Sequence, residues 1–91
     1  MHVGHKAGDG RSYRVLGPLL RATALGNEAA FADLYRLTSK KLFGICIRIL
    51  PEQAEANDAL QDAYLQVWIK ACHYDETKAS PITWLATVAR N

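Results

Sequence analysis

This sequence predicts an all-α domain, a small helical bundle of about four helices, on three observations. Apolar residues recur at spacings of three and four instead of alternating, which is the period of a helix and not of a strand. Helix breakers stand between the periodic segments, at Gly26-Asn27, Pro51 and Ser80-Pro81. Ninety-one residues, 49% of them apolar, suffice for one small core and not for two. No repeat or low-complexity tract competes.

Residues 1–12 carry three glycines, two histidines and scattered charges without periodicity, and are expected to form a flexible N-terminal tail. Residues 13–91 are the expected domain. Val15, Leu16, Leu19, Leu20 and Leu25 suggest a first helix from Tyr13 to about Leu25, with Gly17-Pro18 at or near its start. Asn27 is a good N-cap for a second helix, Glu28 to Leu50, whose stripe is Phe31, Leu34, Tyr35, Thr38, Leu42, Ile45, Cys46 and Ile49. Thr38-Ser39 is expected to loosen it locally. Pro51 stops it, and a third helix follows from Glu52 or Gln53 to Cys72. Turn formers over 74–79 read as a loop. Ser80 and Pro81 then supply an N-cap and a first-turn proline for a fourth helix. Its buried side is Ile82, Leu85, Ala86 and Ala89, with Trp84, Thr87 and Asn91 opposite. No C-cap signal precedes Asn91, so this helix is expected to be cut in mid-course.

The net charge of +2 decides nothing, but its distribution does. Residues 36–48 carry Arg36, Lys40, Lys41 and Arg48 and no acid, hence +4. Residues 52–66 carry Glu52, Glu55, Asp58 and Asp62 and no base, hence −4. The first segment suits a polyanion and the second a basic protein surface, unless the two mainly attract each other across a helix pair. Cys46 and Cys72 form no CxxC pattern, and no metal site, cofactor or disulfide is expected. The N-terminus lacks a signal core and no apolar run approaches a membrane span, so the chain reads as cytoplasmic. No hydrolase, P-loop, dinucleotide or HExxH motif is present.

The third helix is the most informative element. Ala56, Leu60, Ala63, Tyr64, Val67 and Ala71 share one side and read as core. Asp58, Gln61 and Asp62 lie opposite, together with Leu65 and Ile69. Either those two aliphatics pack against the chain's own loops, or they belong to a partner site. An acid–amide–acid row suits arginines on a partner helix better than proton transfer. A second constellation sets Tyr74 and Trp84 near Lys78 and Arg90, which fits stacking on unpaired bases with charge for phosphates. Trp84 fits a core position equally well, and Trp68 reads as core.

Together these motifs resemble region two of bacterial sigma factors of the sigma-70 family, most closely the extracytoplasmic-function (ECF) group. The carrying residues are Ala30 to Tyr35, Leu42 to Ile45, Arg48 to Leu50, Ala54 to Tyr64 with Val67-Trp68, Tyr74-Asp75, and Ser80 to Asn91. The resemblance spans about residues 22–91. It implies a helical, non-enzymatic transcription initiation domain that binds the clamp helices of the RNA polymerase β′ subunit through Asp58, Gln61 and Asp62, with Leu65 and Ile69 beside them. It further implies that Tyr74, Lys78, Ser80, Trp84, Thr87, Arg90 and Asn91 bind the non-template strand of the minus-ten promoter DNA and accept a flipped base. An anti-sigma factor covering these surfaces is a further implied partner. Housekeeping members carry two adjacent tryptophans where this chain has Trp84-Leu85, which implies weaker melting and stricter promoter choice. The helix-turn-helix domain for the minus-thirty-five element is not in the sequence, so a sigma-like interaction module without promoter binding is the alternative.

Overall fold

The computed structural model describes residues 13–91, so the tail expected over 1–12 lies outside the described residues. Four α-helices order that span: α1 (Leu16–Ala24), α2 (Glu28–Ile49), α3 (Gln53–Lys70) and α4 (Pro81–Arg90). A 3-10 turn, Ala71–His73, prolongs α3. Helices α2 and α3 form the central pair, α1 packs mainly on α2, and α4 lies against both α2 and α3.

Each boundary follows from local chemistry. Tyr13 and Arg14 are helical as expected, a turn at Val15 interrupts the course, and α1 runs on from Leu16 with Pro18 in its first turn, where a missing N–H costs nothing. It closes as a Schellman motif: Gly26 N–H donates to the Thr23 carbonyl (2.9 Å) and Asn27 N–H to that of Ala22 (3.0 Å). Gly26 takes the left-handed φ of +89° that this closure requires. Asn27 then turns outward, and its Oδ1 accepts from Ala30 N–H at 3.0 Å to cap α2. At the other end of the chain Ser80 Oγ accepts from Thr83 N–H, with Pro81 at the first helical position of α4.

The core of α2 is a strict every-fourth row, Ala30, Leu34, Thr38, Leu42 and Cys46. That corrects two expectations. Tyr35 and Ile49 stand 42% and 55% exposed, outside the buried row. Thr38 does not loosen the helix, which runs unbroken. Its hydroxyl donates to the Leu34 carbonyl (2.7 Å) and bonds the Tyr64 hydroxyl, so a buried polar residue becomes a tie between α2 and α3. On α3 the buried residues are the expected Ala56, Leu60, Ala63, Tyr64 and Val67, followed by Ala71. The helix itself ends at Lys70, two residues before the expected Cys72, and tightens into the 3-10 turn. Cys46 is buried and Cys72 exposed, and both are free.

Burial pushes the Tyr64 hydroxyl up from an ordinary value of 10.0 to about 12. The folded state therefore holds this proton more tightly than the unfolded chain. Below about pH 10 the group contributes no pH dependence, and between about pH 10 and 12 it removes roughly 2–3 kcal/mol of stability. Denaturant unfolding across that range should show this alkaline loss in the wild type and lack it in Tyr64→Phe. At neutral pH Tyr64→Phe should cost only about 1 kcal/mol, since Thr38 keeps its bond to Leu34. An equal alkaline loss in both proteins excludes Tyr64 as its source.

Candidate functional site

Helix α3 presents its outward face as expected. Asp58, Gln61 and Asp62 are exposed, and Leu65 and Ile69 stand 56% and 55% exposed. Among the described residues no loop covers the two aliphatics. Nor does any described residue form an ion pair with the acids. Among the described residues the ion pairs are Arg21–Glu76 (3.4 Å) and Arg36–Asp33 (3.3 Å), and neither joins the basic segment to the acidic one. Among the described residues the face is an unpaired row of acid, amide and acid running into two exposed aliphatics.

Beside this row lies an open groove of about 690 Å³ between α2 and α3, walled by Phe31, Tyr35, Gln61, Tyr64, Leu65 and Trp68. Its rings pack edge to face, Phe31 on Trp68 at 5.2 Å and on Tyr64 at 6.3 Å, with Tyr35 tilted on Tyr64 at 4.7 Å. Trp68 is thus half-buried and lines the groove instead of filling the core. The aromatic wall was not singled out from sequence, although two i, i+4 pairs signal it: Phe31 with Tyr35 on α2, and Tyr64 with Trp68 on α3. Asp62 also borders a shallow depression of about 190 Å³ near Asn91, smaller than a ligand pocket needs.

The second surface is the 74–80 loop with α4. The Tyr74 hydroxyl donates to the Ala79 carbonyl at 2.7 Å and clasps the two ends of the loop together. Inside it the Asp75 carboxylate accepts from Thr77 N–H (2.9 Å) and Oγ (2.6 Å), and these bonds hold the carboxyl below its ordinary range. Arg21 of α1 reaches Glu76 across the loop, a long-range pairing that no local pattern announces. Trp84 is half-buried, meets Tyr74 at 5.6 Å in a T-shaped pair and packs on the core. It does not fall on the free side with Thr87 and Asn91, because the loop folds Tyr74 onto its ring. Lys78, Thr87, Arg90 and Asn91 are exposed, as is Ser80, whose hydroxyl is engaged in capping α4. Thr87 Oγ donates to the Thr83 carbonyl at 3.0 Å. The loop is a small preformed structure with an aromatic pair at its base, cations on its rim and no acid–base pair enclosed.

Residues 34–91 match the family model described as Sigma-70 region 2. Over 74 residues, 81% of this chain, it is 40% identical to the ECF RNA polymerase sigma factor SigK of Mycobacterium ulcerans (strain Agy99). It is 36% identical over the same length to the protein of that name from Mycobacterium bovis (strain BCG / Pasteur 1173P2). The chain spans about 40% of the length of these curated relatives. No solved structure matches. No described helix is long and apolar enough to cross a membrane. By its family match, the chain belongs to the sigma-70 region 2 family.

Proposed function

We propose that this chain is the part of a transcription initiation factor that docks on RNA polymerase and engages the minus-ten promoter element. The outward face of α3 is the docking surface: Asp58, Gln61 and Asp62 bind arginines of the β′ clamp helices, and Leu65 and Ile69 pack beside them. The 74–80 loop and α4 take the non-template strand, with Tyr74 and Trp84 offering ring edges and faces to unpaired bases and Lys78 and Arg90 meeting phosphates. Thr87 and Asn91 line the same outer edge of α4, and Ser80 holds the loop to the helix through its cap. An anti-sigma factor is a further partner in this reading, since the α3 row is open to any basic, apolar cover.

One observation carries the proposal: two large aliphatics more than half exposed in line with carboxylates that form no ion pair among the described residues, on the same helix face. Binding of a labelled β′ clamp-helix peptide, followed by anisotropy, tests it. Wild type should bind, and Gln61→Ala should bind about tenfold more weakly, the loss of one or two hydrogen bonds to charged donors. Failure of wild type to bind, or equal binding by Gln61→Ala, removes the docking claim.

A further inference from the structure

Gly44 lies inside the C-terminal third of α2, a helix it weakens relative to alanine. The fold gives no reason for it. A Cβ built there meets nothing within 4 Å, and the described glycine with positive φ is Gly26. Neither packing nor backbone conformation asks for glycine at this position.

Its neighbours on the helix surface are cations. Lys40 and Lys41 stand four and three residues before it, and Arg48 four after it. All three are exposed, and none makes an ion pair among the described residues. With about 100° per residue, they and Gly44 share an arc about 100° wide. Arg36 extends the row by one turn and is shared with Asp33. From Arg36 to Arg48 the row runs about 18 Å. The result is bare helix backbone ringed by uncompensated positive charge.

Such a floor lets a ligand approach the backbone closely, and long basic side chains around it neutralise an anion. A single phosphate would fill only the centre. A nucleic-acid strand repeats its charge about every 3.4 Å of duplex axis, so the whole row spans about five phosphates. We propose that the outer face of α2 is a second nucleic-acid contact, where a sugar–phosphate backbone crosses at Gly44 and Lys40, Lys41 and Arg48 neutralise its phosphates. No aromatic residue lies on this arc, so the contact reads charge and not sequence. It shares with the proposed function only the premise that nucleic acid is a partner.

The test uses the 91-residue chain with two labelled probes, a scrambled-sequence duplex and a single-stranded minus-ten oligonucleotide. Anisotropy is read between about 50 and 200 mM salt. Lys40→Ala, Lys41→Ala and Arg48→Ala should each weaken both probes alike. Each should also shrink the salt-induced loss of affinity by about threefold, the share of one neutralised phosphate over that range. Gly44→Ala should move two readouts in opposite senses. The melting temperature should rise by about 4–6 °C, since helix propensity improves and nothing blocks the methyl group, while affinity for both probes should fall. Trp84→Ala should lower only the preference for the minus-ten probe. No wild-type binding at low salt, Gly44→Ala binding like wild type, or an unchanged salt slope in the three cation variants overturns the proposal. So does displacement of DNA by sodium phosphate more effectively than by chloride at matched ionic strength, which marks a free-anion site. Equal wild-type affinity for both probes, with the slope still carried by the three cations, sinks the minus-ten reading and supports this one.

Discussion

Asp62→Arg is expected to weaken binding to the β′ clamp helices by about 30-fold to several hundred-fold. Loss of a charge-assisted hydrogen bond accounts for about 1.5–3 kcal/mol, and a like charge facing the partner's arginines adds to it. The effect should be confined to binding. Asp62 is exposed and joins no ion pair among the described residues, so the fold has nothing invested in its charge. Surface changes of this kind usually move stability by no more than about 0.5 kcal/mol. Asp62→Asn, which keeps the shape and discards the charge, should fall between wild type and the reversal. Raising the salt concentration should shrink the gap between Asp62→Arg and wild type, because the reversed charge acts across a partly wet interface. A reversal that binds like wild type while the helix stays folded means that the α3 acids do not face the partner.

Helix α3 was the most legible element because its two faces differ in kind. Small apolar residues and Tyr64 mark the side that closes on α2, and every one of them is buried. The opposite side is legible residue by residue, down to the exposed Leu65 and Ile69. What periodicity could not supply is which neighbour covers which flank. Tyr35 and Ile49 carry the helical period of the α2 core yet remain exposed, flanking the fully buried every-fourth row through Leu34 and Leu42. Thr38 is a helix-loosening residue by local propensity, and only the approach of Tyr64 makes it a cross-helix tie. Trp84 was open between stacking and core. Its position depends on the Tyr74 ring brought back by the loop, and that loop is held by Arg21–Glu76 and by Tyr74–Ala79. Contacts of that range have no signature in sequence spacing.

The charge segregation also acquires a meaning that composition alone left open. Had the basic run of α2 and the acidic run of α3 faced each other, they would have formed an intramolecular pairing of little functional interest. They do not pair among the described residues, although the two helices pack along their length. The neutral seam between them is apolar and tied by one hydroxyl pair, so both charged faces point away from it. A small domain with opposite charges on its two central helices can meet a basic protein and a polyanion at once without either competing for the other's surface.

Leu85→Ala should have the largest effect on the domain itself and should divide the two surfaces. Leu85 is the one fully buried side chain of α4 and is completely inaccessible. Truncating a buried leucine costs about 2.7–5 kcal/mol, a large share of the roughly 5–10 kcal/mol that holds a domain of this size together. The remaining contacts of α4 come from half-buried Ile82, Trp84, Val88 and Ala89. By contrast α2 and α3 share a row of buried residues and a hydroxyl tie. The weakened unit should therefore be α4 with the loop it anchors, opening ahead of the central pair. Hydrogen exchange should rise throughout α4 and remain protected at the centres of α2 and α3. The near-ultraviolet signal of the Tyr74–Trp84 pair should fade. The preference for the minus-ten oligonucleotide over a scrambled duplex should be lost, and binding to the clamp-helix peptide should survive wherever the central pair is still folded. Leu85→Met, which conserves volume, should cost less than about 1.5 kcal/mol and keep both activities. If Leu85→Ala loses peptide and oligonucleotide binding in parallel, with uniform exchange across all four helices, α4 is no separable unit. The two surfaces would then belong to a single cooperative fold.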